Sequence, residues 1–313
     1  MFNPLTNKIY RGKIFLWILP LWVAFVLVAF NGHGQKKAQP ASLRIEQDEA
    51  AASIAVFRGN TTEPILTQIA KKDERPYLHP IVAPDGKGLI TEFRPGHHLH
   101  QTGIFWGLKL VNGRDHFMNW KSDYWRGVSA EVIEEKGKQV KWQTVYETLD
   151  EGGNVVMVET QKWAMRDFGS HYILDLEWMG EAKVDVTMGK FYVGGLFVRM
   201  PWAQGYEGEI VNAAGQKNRE VEAQRAIWSD VGIIVPGRED YAHIAIFDHP
   251  DNKAFPTPWR WDSQLGLGPS RQILGDWGIA QGEAEVIRYR LIIYTGALDS
   301  SKLTQQWKEF VVE

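Results

Sequence analysis

Two strand-like segments joined by a short turn occupy residues 155–179, which read VVMVETQKWAMRDFGSHYILDLEWM. In the second segment every even-numbered residue from Tyr172 to Trp178 is apolar, whereas Asp175 and Glu177 stand between them. Because successive side chains of a β-strand point to opposite faces, this period of two predicts a strand with one buried and one wet face. The short RDFGS turn then makes the two segments neighbours in an antiparallel meander.

The same pattern extends over residues 53–296, where short strand-like segments alternate with clusters of turn residues. The Asn-Gly pair at 112–113 is a strong hairpin signal within this region. Helical spacing is found in the C-terminal DSSKLTQQWKEFVV, where Asp299 can serve as the N-cap while Leu303 and Phe310 share one face.

These patterns predict an all-β fold, a large antiparallel β-sandwich with a short C-terminal helix. Residues 53–313 are expected to form a single domain, and the polar residues 35–52 are expected to be a short leader into it. No internal repeat, low-complexity tract or obvious linker divides this length into smaller domains.

The N-terminus has the composition of a targeting segment. Three basic residues precede the uncharged apolar run Ile14–Phe30, and small residues follow in NGHGQ. This order predicts a signal peptide over residues 1–34, although the run is also close to the length of an N-terminal membrane anchor. The chain has no cysteine, and an exported chain without disulfides is typical of a bacterial periplasm or cell surface.

The net charge excludes one class of partner. Removing residues 1–34 deletes three basic residues and no acidic one, so the formal charge falls from −3 to −6. A mildly acidic domain lacks the basic footprint of a nucleic-acid-binding protein. Membrane contact is expected only through the N-terminal segment, if it is not cleaved.

Tryptophan is unusually frequent, with 14 residues in the chain. Most are expected to build the core of the sandwich, because aromatic side chains bury large areas. Exposed rings could instead stack on the C–H faces of sugars. In an exported β protein this second interpretation points to a carbohydrate ligand.

The candidate site centres on residues 75–107, RPYLHPIVAPDGKGLITEFRPGHHLHQTGIFWG. If the histidine cluster is extended, His98 and His100 point to one face. They could then share acid and base duty or bind a divalent metal, or they could be ordinary hydrogen-bonded loop histidines. No further metal-binding signature accompanies them. The same segment supplies the candidate substrate-binding residues Arg75, His79 and Arg94.

Two later motifs add candidates. In IFDHPDN, Asp248 and His249 stand at the end of an apolar strand, where the carboxylate could orient the imidazole or act as a base, or could simply initiate a turn. In FPTPWRW, Trp259 and Trp261 share one face of an extended segment, with Arg260 opposite. The two rings suit a sugar-stacking platform, although a position at the rim of the core is equally consistent.

The chain resembles the bacterial PmoA family, a methane-oxygenase-like family of unknown function, over residues 53–312. The motifs that carry the resemblance are RPYLHPIVAPDGKGLIT, GHHLHQTGIFWGLKLVNGRDHF, WSDVG, IFDHPDN and PTPWRW. In that family the histidine motif is usually Asp-His-Pro-His, so His98 and His100 match while His97 and Leu99 depart from it. The resemblance implies a fold similar to the mutarotase-type supersandwich.

The function predicted from the sequence is an exported carbohydrate-active enzyme, such as an isomerase, lyase or hydrolase. It would act on a small-molecule or oligosaccharide substrate in a His-rich pocket. The alternatives are a non-catalytic sugar-binding protein and a metal-dependent oxidoreductase, as the family label suggests. A divalent metal, held by His98 and His100 if by any residues, is the cofactor left open. The catalytic hypothesis requires these histidines to meet Asp248 and His249 in one water-filled hollow.

Overall fold

The computed structural model describes residues 39–313 except His97 and Trp120. The predicted signal or anchor over residues 1–34 therefore lies outside the described residues. Within the described part of the chain, no helix is long and apolar enough to cross a membrane.

The regular secondary structure of the described chain consists mainly of antiparallel strands, followed by one C-terminal helix. The elements are β1 (Leu43–Asp48), β2 (Ser53–Arg58), β3 (Pro64–Ile69), β4 (Tyr77–Ile81), β5 (Ile104–Gly107), β6 (Trp125–Glu134), β7 (Lys136–Gly137), β8 (Val140–Leu149), β9 (Val155–Asp167), β10 (His171–Ala182), β11 (Val186–Met188), β12 (Gly195–Val198), β13 (Gly208–Asn212), β14 (Trp228–Ile233), β15 (Ala242–Asp248), β16 (Trp259–Trp261), β17 (Leu267–Pro269), β18 (Trp277–Ile279), β19 (Ala284–Thr295) and α1 (Ser300–Phe310). Two short 3-10 helices span Asn218–Val221 and Arg271–Ile273.

Two large sheets form the sandwich. The nine-stranded sheet has the order β16-β17-β12-β5-β4-β3-β2-β1-β7, and the eight-stranded sheet has the order β13-β14-β15-β19-β10-β9-β8-β6. Strands β11 and β18 form a separate two-stranded sheet. The predicted fold class, a large antiparallel β-sandwich with a short C-terminal helix, is confirmed.

The main core lies between the two large sheets, and the alternation of residues 155–179 builds part of it. In β10 the side chains alternate strictly between buried and half-buried, with Leu174, Leu176 and Trp178 inside. Opposite them on β9 stand Met165 and Trp163, which are also buried. Burying one apolar face per sheet supplies the main driving force of a sandwich.

The predicted leader is part of the fold. Strand β1 lies within residues 35–52 and pairs with β2 in a regular antiparallel register from Leu43 to Asp48. Its inward side chains, Leu43 and Ile45, are buried in the main core. Only two apolar residues alternate in this strand, so the polar sequence around them conceals its period of two.

Several strands bury both of their faces. In β5, Ile104 and Trp106 face the main core, whereas Phe105 belongs to a second aromatic cluster on the opposite face of the nine-stranded sheet. This outer cluster contains Tyr77, Phe105, Phe117, Val193 and Phe197. These side chains form an apolar surface on the outer face of the nine-stranded sheet, which can serve as the floor of a pocket.

Helix α1 covers the outer face of the eight-stranded sheet. The Asp299 side chain accepts a hydrogen bond from the backbone N–H of Lys302 at 3.0 Å, as expected for an N-cap. Leu303 and Phe310 pack with Phe247 of β15 in a small cluster on this face. The helix and its cap are as predicted from the sequence.

We expect Gly103, next to β5, to be indispensable for the nine-stranded sheet. Its φ is +73°, and a Cβ at this position would lie 2.2 Å from the backbone oxygen of Leu78. Gly153 is a matched control, because its φ is +78° and a Cβ there meets nothing within 4 Å.

Gly153→Ala should lower the free energy of unfolding by about 1–2 kcal/mol through left-handed strain alone. Gly103→Ala should lose about 1–3 kcal/mol more, because overpacking against a β-strand backbone is added to the strain. Urea denaturation of the two variants measures the difference. Equal losses would show that the sheet accommodates the methyl group at Gly103.

Candidate functional site

A polar cavity of about 260 Å³ opens on the outer face of the nine-stranded sheet, above the outer aromatic cluster. Its apolar lining consists of Phe117, Met118, Tyr192, Val193 and Phe197. Its polar lining consists of His98, His100, Gln101, Arg260, Asp262, Ser263 and Gln264. The cavity therefore joins the predicted histidine cluster to the strand and turn that begin at Trp259.

The histidines are presented by a tight loop. Phe93 and Thr102 form an isolated antiparallel bridge, and the N–H of Arg94 donates to the oxygen of Gln101 at 2.7 Å. Within this closure the N–H of His98 donates to the oxygen of Pro95, and the N–H of Gln101 donates to the oxygen of His98. The segment is thus turned and not extended, yet the turn brings the predicted histidines to one cavity.

The two imidazoles lie edge to face. The ring centroids of His98 and His100 are 5.7 Å apart, with an interplanar angle of 84°. Burial, the positive charge of Arg75 and the neighbouring His98 lower the pKa of His100 to about 4. His100 is therefore neutral at pH 7, with one ring nitrogen able to accept a hydrogen bond.

Arg75 lies beneath the cavity floor and does not line it. Its Nη1 donates to the backbone oxygen of Phe117 at 2.8 Å, and its guanidinium lies 3.8 Å from the ring centroid of Phe105. A Cβ on Gly107 would lie 2.9 Å from Nη1, so a glycine there makes room for the guanidinium. Burial lowers the pKa of Arg75 to about 9, partly offset by the charge of Glu159. Arg75 therefore supports the floor from below, and it is not among the residues that line the cavity.

The opposite wall comes from β16 and the turn after it. The predicted alternation of FPTPWRW is present, but the tryptophan face, which was predicted to bind the ligand, is turned toward the core. Trp259 is fully buried in the main core, where its Nε1 donates to the oxygen of Ala226 at 2.9 Å, and Trp261 packs against the same core. The alternate residues Arg260 and Asp262 line the cavity. Large aromatic rings gain more from the interior than from the rim, and this places the charged residues outward.

Gln101 is a site residue that the sequence did not single out. Its side chain is 3% exposed and lines the cavity, and its Oε1 is buried without a hydrogen-bond partner among the described residues. A buried carbonyl without a donor costs about 1–3 kcal/mol, so such an atom calls for a ligand or water donor. Its position next to the histidine cluster was the only available signal.

Tyr192 is a second residue that sequence reasoning missed. It lines the cavity with 45% of its surface exposed, and its ring lies 4.8 Å from the guanidinium of Arg260. Phe191 packs beside it, with ring centroids 4.5 Å apart. Nothing in the FYVGG segment around it suggested a site before the fold was known.

Asp248 and His249 are not part of this cavity. Asp248 is fully buried, with Oδ1 accepting from Asn252 Nδ2 at 2.7 Å and Oδ2 accepting from the N–H of Thr257 at 2.6 Å. Burial raises the pKa of Asp248 to about 6. The His249 ring packs edge-on against Phe310 of α1, at 5.0 Å. The motif is the Asp-initiated turn that the sequence left open, so the predicted meeting of the two motifs in one hollow does not occur.

His79 and Arg94 lie around Phe93, outside the cavity lining. His79 Nδ1 shares a hydrogen bond with Thr91 Oγ1 at 3.0 Å, and its ring stacks on Phe93 at 5.8 Å. Arg94 pairs with Glu74 at 3.0 Å and covers Phe93 from 4.9 Å. These contacts hold the start of the histidine loop, so the structure gives both residues a supporting position.

Beyond His98 and His100, the described residues provide no further ligand for the metal ion of the metal-assisted hypothesis. No group of three or more His, Cys, Asp or Glu side chains among them could hold a metal ion. His97, which belongs to the same cluster in the sequence, lies outside the described residues.

Together these elements define an antiparallel β-sandwich protein with a polar cavity on the outer face of its larger sheet. The chain belongs to the family described as DUF6807, a family of unknown function, whose match covers residues 63–308. The resemblance to the PmoA family is therefore wrong as a family assignment. The oxidoreductase alternative, which depended on that label, loses its basis. No curated protein matches the sequence at a significant level.

Solved structures with a similar chain path include carbohydrate enzymes. The GH36 α-galactosidase AgaB from Geobacillus stearothermophilus is 7% identical, with a TM-score of 0.45, over 80% of this chain and 41% of its own. A putative aldose 1-epimerase from Klebsiella pneumoniae subsp. pneumoniae is 6% identical, with a TM-score of 0.44, over 82% of this chain and 83% of its own. The chain thus spans less than half the length of the galactosidase that it matches. Similarity this low does not transfer an activity.

We expect Arg75→Met to raise the pKa of His100 from about 4, because the substitution removes the positive charge that disfavours protonation. Burial of the ring is the larger cause and remains, so the pKa should stay below the ordinary value near 6.5. The pH titration of the His100 ring protons by NMR measures the change.

Arg58→Met is the matched control, because Arg58 pairs with Asp167 at 2.5 Å and does not line the cavity. It should leave the His100 titration unchanged. An unaltered His100 titration in a folded Arg75→Met protein would show that Arg75 exerts no electrostatic effect on the site.

Proposed function

We propose that the chain is a carbohydrate-active enzyme that holds one sugar unit in the outer cavity and moves a proton with His98 and His100. The observation that carries the proposal is the buried Oε1 of Gln101, an acceptor without a partner among the described residues. The residue Gln101 lines the cavity together with the neutral His100 and the carboxylate of Asp262. Three acceptor-bearing side chains at one cavity favour a ligand that presents several hydroxyl donors.

The size and surface of the cavity support a small ring. A cavity of about 260 Å³ lies below the range of roughly 300–1,000 Å³ that holds drug-sized ligands. The exposed ring of Tyr192 and the underlying Phe197 provide apolar surface, and the histidine loop provides polar groups. A pyranose ring is likewise divided into apolar and polar parts, because its faces carry C–H groups and its edge carries hydroxyl groups.

The proposed chemistry is proton transfer at the bound sugar. A neutral imidazole accepts a hydroxyl or carbon-bound proton at its free nitrogen, and the second imidazole returns a proton to the substrate. Isomerisation, elimination and hydrolysis each need such a pair. This proposal differs from the catalytic hypothesis drawn from the sequence, which required Asp248 and His249. Their polar groups bond within their own turn, so the chemistry is assigned to His98 and His100 alone.

One observation favours the second candidate, a non-catalytic sugar-binding protein. A general base works best when its pKa is close to the ambient pH, and the pKa of His100 is about 4. A neutral imidazole that only accepts a hydrogen bond would bind a hydroxyl without reacting. Both candidates keep the export proposed from residues 1–34, which would place the cavity among extracytoplasmic glycans.

We expect the double change His98→Ala and His100→Ala to lower turnover at least about 100-fold, the usual contribution of acid–base groups. Substrates are sought by mass spectrometry of monosaccharides and oligosaccharides incubated with the purified protein. His171→Ala is the control, because His171 is also a partly buried histidine whose pKa is lowered to about 4, but it does not line the cavity.

Gln101→Ala should weaken sugar binding about tenfold in calorimetric titrations, since it removes one hydrogen bond to the ligand. Turnover that survives the double histidine change would reject the catalytic roles. Sugar affinity that persists without any turnover in the wild-type protein would favour the binding protein. Failure of every sugar to bind would reject the carbohydrate proposal itself.

A further inference from the structure

Resting on the proposed sugar site, we infer that the cavity selects uncharged sugars over sugars that carry a carboxylate, and that Asp262 is the residue that sets this preference. The inference depends on how Asp262 is held and on how the neighbouring cations are engaged.

Asp262 is a carboxylate held in place by the backbone. Its Oδ1 accepts from the N–H of Gln264 at 2.8 Å and from the N–H of Gly266 at 3.0 Å. A Cβ at position 266 would lie 2.5 Å from Oδ2, so glycine leaves space at this atom. Among the described residues no donor bonds to Oδ2, which is therefore available to a ligand hydroxyl.

Two cations near the cavity, Arg260 and Lys109, are paired with carboxylates, whereas Arg199 is bonded mainly to an amide side chain and a backbone oxygen. Arg260 Nη1 lies 3.0 Å from Glu222, and Lys109 beneath the site pairs with Asp115. Arg199 donates to the backbone and side-chain oxygens of Gln264 at 3.2 and 3.0 Å. Its nearest contact with Asp262 is 3.9 Å, too long for a hydrogen bond. Of these cations Arg260 lines the cavity, and a ligand carboxylate there would share its charge with Glu222.

Two acceptor atoms of residues that line the cavity have no hydrogen-bond donor among the described residues. They are Gln101 Oε1 and Asp262 Oδ2. Sugar hydroxyls satisfy both atoms by donating hydrogen bonds. A uronate carboxylate offers no donor and places a second negative charge beside Asp262, where partial burial strengthens the repulsion.

The test compares glucose with glucuronate and galactose with galacturonate, each titrated calorimetrically into the full-length protein. The wild-type protein should bind the neutral member of a pair at least about tenfold more tightly. Asp262→Asn keeps the Oδ1 acceptor for both backbone amides and removes the charge. It should therefore lower the ratio of neutral-sugar affinity to uronate affinity severalfold. Gln101→Glu adds a negative charge at nearly constant shape, so it should raise this affinity ratio.

Asp251→Asn is the control, because Asp251 is an exposed carboxylate that does not line the cavity, and it should leave the ratio unchanged. Circular dichroism checks that each variant is folded. If Asp262→Asn does not fold, the affinity ratio of Gln101→Glu tests the inference instead. Tighter binding of the uronates, or ratios that do not respond to either charge change, would overturn the inference while leaving the sugar site intact. Absence of binding by all four sugars overturns it as well, and the wider screen then decides the proposed function separately.

Discussion

The pleat of the nine-stranded sheet is the constraint on which the site depends. Each strand must place alternate side chains on opposite faces, so β5 can send Trp106 into the main core only by sending Phe105 outward. The outward rings of Phe105 and Phe197 lie 5.6 Å apart and are covered by Phe117. The cavity floor is therefore the reverse side of the sheet that covers the core.

A buried cation connects this floor to the histidines above it. Arg75 is held by the ring of Phe105 and the backbone oxygen of Phe117, and its charge is the second cause of the low pKa of His100, after burial. Burying a guanidinium costs free energy that only good contacts offset. The cavity is lined by this neutral imidazole and by Gln101, whose amide oxygen has no hydrogen-bond partner among the described residues, and this combination of acceptors suits hydroxyl donors.

Sequence reasoning placed two of its candidates, His98 and His100, at the cavity and misplaced others for identifiable reasons. His98 and His100 are brought together, although by a turn and not by an extended strand. For FPTPWRW the period of two was right, but periodicity does not reveal which face is the interior, so Trp259 was assigned to the ligand and Asp262 was overlooked. Asp248 illustrates a different limit, because a carboxylate in an Asp-His-Pro sequence forms either a turn or a site, and only its neighbours in the fold decide which.

The sequence alone determined the all-β class, the strand periodicity of residues 155–179, the C-terminal helix with its Asp299 cap, and the grouping of two histidines in one loop. Those features depend on local chemistry. Neighbouring residues decide on which face of a strand or helix a side chain lies, and which backbone group a side chain can cap. The tertiary structure decided that β1 belongs to the sheet, that Arg75 lies beneath the cavity, and that Tyr192 and Asp262 complete its walls. These residues are separated by tens to hundreds of positions along the chain, and their proximity follows from the strand order β17-β12-β5-β4. Sheet order is a property of long-range pairing, which no local pattern encodes.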